Sequence, residues 1–149
     1  MFTARVHPGE SVGSWMMQGV IDFLTDLKNP EAHILRDHFV FKVVPMLNPD
    51  GVINGNYRCS LAGCDLNRRW DKPSLTLHPT IHHTKKLIKQ FASERELLLF
   101  VDFHGHSNKK DVFIYGCHKP DDPMETRMFP FLMAKLCPYF SFNKSRFGN

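Results

Sequence analysis

The apolar run Leu97–Val101 constrains the fold of this chain more than any other feature of its sequence. With Asp102 and Phe103 it reaches the length of a strand, and a segment this uniformly apolar predicts a fully buried central strand, Leu97–Phe103. A membrane-spanning helix needs about 20 apolar residues, so the run is far too short to cross a bilayer. The sequence therefore predicts a buried sheet and no membrane partner.

Strands and helices alternate along the chain. The predicted strands are Phe2–Val6, Phe39–Leu47, Leu97–Phe103 and Val112–Tyr115. The predicted helices are Ser11–Lys28, which Asn29-Pro30 ends, His78–Arg95 and Pro123–Leu136. Asn48–Gly51 is typical of a turn, and residues 57–73 predict a long structured loop of the kind that is usually functional. This alternation indicates an α/β fold with a largely parallel sheet.

Composition narrows the range of partners. The 149 residues fit one domain, and 19 basic against 15 acidic residues give a net charge of +4. The basic residues are spread along the chain, so we expect no nucleic-acid partner, whereas an acidic ligand suits the charge. The four cysteines contain no Cys-x-x-Cys pair, and the N-terminus lacks the apolar core of an export signal. Both features favour reduced thiols and a cytoplasmic location.

Two of the predicted strands are followed by residue types that bind metals. His7-Pro8-Gly9-Glu10 follows the first strand, and His104-Gly105-His106 follows Leu97–Phe103. Open α/β sheets bind ligands at strand ends. A catalytic zinc ion can take two histidines and one glutamate, which leaves one position open for water. The spacing alone leaves a zinc site and ordinary structural histidines equally open.

A second motif overlaps the first. Gly9-Glu10-Ser11-Val12-Gly13 matches the Gly-x-Ser-x-Gly turn of serine hydrolases, and it lies between a strand and a helix as that turn requires. Asp102 and His104 follow in the matching chain order. Ser11 also suits the role of helix N-cap, and a serine hydrolase leaves the charged residues at 58–69 without a role. We therefore expect Ser11 to cap the helix.

Charged and amide side chains cluster at Arg58 and in Asp65-Leu66-Asn67-Arg68-Arg69-Trp70. Arginine binds carboxylates through two parallel hydrogen bonds, so Arg68 with Asn67 beside it could hold a substrate carboxylate. Arg58 could stabilise charge that develops on a carbonyl oxygen, and Asp65 could orient a metal-bound histidine. A surface ion-pair network is the alternative for the same residues.

Five motifs occur together in a specific order. They are His7–Glu10, Asn48–Gly51, Asn56–Arg58, Asp65–Trp70 and Asp102–Ser107. The ordered set resembles the M14 zinc metallocarboxypeptidases, and specifically the cytosolic carboxypeptidases that trim glutamates from tubulin and other protein tails. The resemblance covers residues 3–117. It implies an α/β/α sandwich on a mixed, largely parallel sheet.

The resemblance implies a metal site. By it, His7, Glu10 and His104 bind one zinc ion, and His106 is the second choice for the third ligand. Asp65 matches the family residue that orients the first histidine from behind.

The resemblance also implies roles toward the substrate. Arg58 matches the arginine that polarises the scissile carbonyl, and Asn67 and Arg68 match the pair that holds the terminal carboxylate of glutamate-rich tails, tubulin among them. The general-base glutamate of the family lies well downstream of the third zinc ligand, past Asn149. Glu125 does not match its context, so we expect the base to be absent from the chain.

We expect residues 1–149 to be one partial catalytic domain, the N-terminal half, with no second domain. Such a chain would bind acidic tails without turning over substrate. The alternatives are an aspartoacylase-like zinc amidohydrolase, which shares the His-x-x-Glu and Asp-Leu-Asn-Arg patterns, and the serine hydrolase. Asn48–Gly51 and His104–Ser107 favour the carboxypeptidase.

Overall fold

The computed structural model describes residues 1–148, and Asn149, the last residue of the predicted domain, lies outside them. The chain divides into two compact units, Met1–Gly105 and His106–Asn149. Within residues 1–148, no helix is both long and apolar enough to span a membrane.

A three-stranded parallel sheet organises the first unit. Its strands are β1 (Phe2–Ala4), β2 (Val43–Val44) and β3 (Val101–Phe103), in the order β2-β1-β3. In the register of β1 and β3, Thr3 lies opposite Asp102, and the Thr3 hydroxyl donates a 2.7 Å hydrogen bond to Oδ1 of Asp102. The predicted α/β fold with parallel strands is confirmed.

Four helices complete the first unit. They are α1 (Ser11–Thr25), α2 (Pro30–His38), α3 (Pro49–Ile53) and α4 (Pro79–Glu94). Neither α2 nor α3 was expected, because Asn29-Pro30 predicts a helix end and Asn48-Pro49 a turn. The Asn29 side chain instead caps α2 by accepting from Ala32 N, and Asn48 caps α3 by accepting from Gly51 N. Asparagine followed by proline suits the first residues of a helix as well as a stop.

The buried core of the first unit anchors the segments that carry the candidate site. Val6, Leu47, Leu66 and Ile81 form one cluster, with Val44 and Trp70 packed against it. Val6 precedes His7, and Leu66 lies within the short 3₁₀ helix Leu66–Arg68. The burial of these two apolar side chains therefore fixes the backbone next to predicted site residues.

The prediction that Leu97–Phe103 forms the central strand is wrong in two respects, the length of the strand and its place in the sheet. Only Val101–Phe103 forms a strand, and it lies at the edge of the described sheet, whose middle strand is β1. Leu98 is 69% exposed. An apolar run indicates extended backbone, but it does not tell which strand has neighbours on both sides.

The other predicted strands of this unit are also shorter than expected. Phe2–Val6 ends at Ala4, and Phe39–Leu47 is reduced to Val43–Val44. The backbone of Arg5 has φ +57°, which is incompatible with a strand and ends β1 at that point.

Up to residue 148, the second unit contains one α-helix, a short 3₁₀ helix (Phe142–Lys144) and a two-stranded parallel sheet. Helix α5 spans Pro123–Leu136, as predicted, although Pro130 lies inside it. Strand β4 (Tyr115–Gly116) pairs with β5 (Arg146–Phe147). The predicted strand Val112–Tyr115 is therefore displaced toward the C-terminus, with Val112 forming only an isolated bridge.

Candidate metal centre

Three side chains from distant parts of the sequence converge in the first unit. His7, Glu10 and His104 each offer one ligand atom, and these atoms all lie within 4.8 Å of one another. His7 and Glu10 belong to the connection between β1 and α1, and His104 directly follows β3. Since β1 and β3 are parallel neighbours, their carboxyl ends meet at one edge of the sheet.

Glu10 is the centre of this group. Its Oε1 lies 2.9 Å from Nδ1 of His7, and its Oε2 lies 3.0 Å from Nδ1 of His104. The backbone N–H of Gly105 donates to Oε2 at 2.7 Å. Both histidines therefore direct the same ring nitrogen, Nδ1, toward one carboxylate.

The other nitrogen of each ring is held by an aspartate. Nε2 of His7 lies 3.0 Å from Oδ1 of Asp65, and Nε2 of His104 lies 2.8 Å from Oδ2 of Asp102. A carboxylate behind a histidine fixes the tautomer and the ring orientation, an arrangement typical of histidines that bind metal. Two histidines and one glutamate are also a donor set that zinc accepts. The residues present therefore fit a zinc ion.

Asp65 lies where the sequence predicted it, behind His7, whereas Asp102 was missed as a partner of His104. Asp102 was considered only as a member of a serine triad. The signal that could have identified it is the Asp-x-His spacing at the end of a strand, because alternate residues of a strand point to the same side. Thr3 holds the second oxygen of this carboxylate.

The charges around the site shift two pKa values. Burial lowers the pKa of His104, but the hydrogen bond and charge of Asp102 and the charge of Glu10 outweigh it and raise that pKa above its ordinary value. For Asp65 burial acts to raise the pKa, whereas hydrogen bonds from His7 and the Asn67 N–H lower it more. The Asp65 carboxylate is therefore maintained in its charged form.

Arg58 lies against Asp65. Its Nε and Nη2 atoms contact Oδ2 of Asp65 at 2.9 and 2.8 Å, and its side chain is 44% exposed. Arg58 and Asp65 thus form an ion pair, as the alternative of a surface ion-pair network predicts. The Asp65 carboxylate also contacts His7, so this network includes a candidate metal ligand. Arg58 and the first histidine are connected by a single side chain.

Asn67 and Arg68 lie on the 3₁₀ helix that follows Asp65. The Asn67 N–H donates to Asp65 Oδ1, and the Asn67 side-chain oxygen accepts from Nε1 of Trp70, at 2.9 Å in both cases. The Asn67 amide nitrogen is thereby directed away from Trp70. The Arg68 side chain is exposed, and across residues 1–148 its guanidinium has neither an ion pair nor a hydrogen bond to protein, so it is available to a ligand.

The expectation that Ser11 caps α1 is wrong. The N-cap is Glu10, which makes no side-chain cap because its carboxylate faces the histidines. Ser11 is exposed. Both ring nitrogens of His104 are engaged by Asp102 and Glu10, and the Ser11 hydroxyl reaches neither nitrogen. The catalytic dyad of a serine hydrolase is therefore not assembled.

Gly13 has a packing role rather than a place in a nucleophile turn. A Cβ atom at Gly13 would lie 2.8 Å from the carbonyl oxygen of Phe103. Glycine thus lets the first turn of α1 approach the end of β3, which brings Glu10 to His104.

His106, the second choice for the third ligand, is not part of the convergent group. Its Nδ1 accepts backbone N–H bonds from Asn108 and Lys109 at 3.1 and 3.0 Å. This ring nitrogen is therefore occupied within the second unit.

Comparison with known proteins identifies the family. The family described as zinc carboxypeptidase, Peptidase M14, matches residues 1–130. The chain belongs to the M14 zinc carboxypeptidase family. This membership decides against the serine hydrolase and the aspartoacylase-like enzyme as families for the chain.

Curated members of the family are similar over nearly the whole chain. Cytosolic carboxypeptidase 2 of Xenopus tropicalis is 53% identical over 91% of this chain, and that of Homo sapiens is 51% identical over 99%. Cytosolic carboxypeptidase 4 of Homo sapiens is 47% identical over 99%. The chain spans only 14%, 16% and 15% of these three relatives.

Solved structures show the same fold. A metallo-carboxypeptidase from Burkholderia cenocepacia matches with a TM-score of 0.85 and 27% identity, over 98% of this chain and 40% of that one. A putative carboxypeptidase A from Shewanella denitrificans matches with a TM-score of 0.85 and 30% identity, over 95% and 38%. The zinc carboxypeptidase fold is thereby confirmed for this chain.

Proposed function

We propose that this chain is the zinc- and carboxylate-binding part of a cytosolic carboxypeptidase that removes C-terminal or branched glutamates from protein tails, tubulin among them. The observation that carries the proposal is the convergence of His7, Glu10 and His104. Both histidines lie within hydrogen-bonding distance of the Glu10 carboxylate. The names and identities of the relatives support the reaction class and the cytosolic location.

The metal role falls to three residues. His7 and His104 would bind one zinc ion through Nδ1, and Glu10 would supply a carboxylate oxygen. When bound, zinc polarises a carbonyl and lowers the pKa of water toward neutrality. Asp65 and Asp102 hold the two rings in place, so that little reorganisation is needed when the ion binds.

Arg58 would act on the scissile carbonyl. Hydrolysis adds the OH of water to the acyl carbon and transfers a proton to the leaving amine, while negative charge develops on the carbonyl oxygen. Arg58 can donate to that oxygen while its contact with Asp65 maintains its orientation. This role requires a guanidinium that is both fixed and open to solvent, and Arg58 is 44% exposed.

Asn67 and Arg68 would hold the terminal carboxylate of the substrate. A guanidinium without a partner among the described residues and an amide nitrogen beside it offer parallel donors, which suits a carboxylate. The net charge of +4 favours a tail rich in glutamate. Together these features support an acidic C-terminal tail as the ligand.

The proton acceptor is the one part of the reaction that we do not assign to residues 1–149. Glu125 is paired with Lys119 in the second unit. A general base contributes about 10²–10⁴-fold in rate. The chain by itself should therefore bind acidic tails and release little glutamate, which distinguishes binding from turnover in an experiment.

The test compares two peptides that differ only at the C-terminus. A glutamate-rich peptide with a free carboxylate should bind the full chain, and its C-terminal amide should bind about 10-fold or more weakly, since a hydrogen bond to a charged group is worth about 1.5–3 kcal/mol. Arg68→Ala should remove this difference, and added salt should weaken binding. Arg127→Ala is the matched control. Equal affinity for both peptides would contradict the proposal.

A further inference from the structure

One residue of the ligand-bearing connection has an unusual backbone. Arg5 lies two residues before His7, and its φ of +57° falls in the left-handed region. A side chain with a Cβ rarely adopts this conformation, because the Cβ approaches the following carbonyl oxygen. Such strain persists only where the surrounding contacts determine it, and it is concentrated at functional sites.

The Arg5 side chain provides those contacts. Its Nε donates to the carbonyl oxygen of Pro8 at 2.7 Å, and its Nη1 donates to the hydroxyl of Ser14 at 2.6 Å. Pro8 lies between His7 and Glu10, and Ser14 lies on the first turn of α1. The guanidinium therefore joins the middle of the ligand-bearing turn to the helix that follows it.

We propose that Arg5 is a positioning residue for the zinc site, fixing His7 and Glu10 relative to each other before the ion binds. The inference rests on the zinc site of the proposed function and adds a residue to it. Two ligands three positions apart on a Pro-Gly turn can bind one ion only if that turn holds its shape. Arg5 fixes the turn from within, and the 2.7 Å bond from Gly9 N to the Tyr57 carbonyl fixes it from outside.

Direct contact with substrate is the competing role for an arginine at this site. Two separate guanidinium nitrogens of Arg5 are already engaged, by Pro8 and Ser14. The Arg5 side chain is also half-buried, whereas Arg58, although paired with Asp65, is exposed. The guanidinium of Arg68 is exposed as well, and among residues 1–148 it makes no hydrogen bond or ion pair. The geometry therefore assigns Arg5 to the shape of the loop and Arg68 to the ligand. Metal ligands that are already held in the binding geometry strengthen metal binding, because less conformational entropy is lost when the ion binds.

The main test measures zinc affinity and metal-free stability on the same variant. In Arg5→Gly the clamp is lost, but glycine adopts the left-handed backbone without strain. We expect the zinc dissociation constant, from competition with a chelating dye, to rise about 10-fold, the lower end of the range for partners behind the ligands. The unfolding temperature of the zinc-free chain should be unchanged or higher.

Arg36→Ala is the matched control. Arg36 also donates to two acceptors, the carbonyl oxygens of Leu24 and Asp26, but it does so at the far end of α1. This variant should unfold at a lower temperature and bind zinc with unchanged affinity. A merely structural role for Arg5 predicts the same pattern for Arg5→Gly.

Two milder variants allow the same test if Arg5→Gly does not fold. Ser14→Ala removes one acceptor and should raise the zinc dissociation constant a few-fold, and Arg5→Lys should fall between wild type and Arg5→Gly. Zinc affinities within twofold of wild type in Arg5→Gly and Ser14→Ala would overturn the positioning role alone. A wild-type chain that binds no zinc would overturn the zinc site and the clamp together.

Discussion

The two histidines of the candidate metal centre have the same chemistry but different surroundings. The His7 side chain is 5% exposed, and its aspartate partner, Asp65, is 58 residues away in sequence. The His104 side chain is 31% exposed, and its partner, Asp102, is two residues away, on the strand that His104 directly follows. Both rings direct Nδ1 to Glu10.

The comparison shows how one geometry is built in two ways. At His104, β3 supplies the carboxylate and the residue directly after β3 supplies the ring, so the arrangement follows from local backbone geometry. At His7, the carboxylate comes from Asp65, which directly precedes the 3₁₀ helix that contains the buried Leu66, and the same carboxylate binds Arg58. Through Asp65, His7 is therefore connected to Arg58, the residue proposed to act on the substrate, whereas the position of His104 depends on the sheet.

The largest effect is expected at Glu10, whose carboxylate contacts both histidines. Glu10→Ala removes one ligand and the contact that both histidines share, so zinc affinity should fall more than about 100-fold, beyond the range for outer partners. Dye competition measures this loss. Glu125→Ala, which removes an exposed carboxylate of the second unit, is the control. Retention of wild-type affinity in Glu10→Ala would mean that the convergence of these side chains does not serve zinc binding.

Neutralising Asp65 or Asp102 tests whether the surroundings of His7 and His104 have different roles. Asp65→Asn and Asp102→Asn should each weaken zinc binding about 10–100-fold, because each leaves a histidine without its orienting carboxylate. Only Asp65→Asn should also change the affinity for a glutamate-rich peptide, and it should tighten binding at low salt, because it removes a negative charge and frees the exposed Arg58 guanidinium for the acidic tail. Titration of both variants with zinc and with peptide checks this. Equal peptide affinity in the two variants would show that the surroundings of His7 and His104 are not distinct.

No effect is expected at Ser11. A fluorophosphonate probe should not label it, because neither ring nitrogen of His104 is free to activate the hydroxyl. Mass spectrometry of the treated chain provides the measurement, and Ser11→Ala should bind zinc like wild type. Stoichiometric labelling at Ser11 would favour serine chemistry over the metal centre.

Sequence patterns predicted the convergence of His7, Glu10 and His104 better than they predicted the strands. His-x-x-Glu after one strand and a histidine after another imply convergence, because parallel neighbours end at one sheet edge. The length of β1 was not predictable from hydropathy, since Arg5 ends the strand through a backbone angle that no pattern indicates.

The remaining errors have local causes. Asn29-Pro30 has the residue types of both a helix stop and a helix start, so α2 was missed. Asp102 was assigned to the wrong chemistry, because its role depends on which nitrogen of His104 faces Glu10, and only the structure shows that.

The zinc content of the purified full chain tests the central claim most directly. Metal analysis after dialysis should give about one zinc per wild-type chain, because one set of three ligand atoms converges among residues 1–148. His7→Ala should lose most of it, and His106→Ala should retain it. Equal zinc in wild type and His7→Ala would contradict the site, and loss of zinc in His106→Ala but not in His104→Ala would mean that the wrong histidine was assigned.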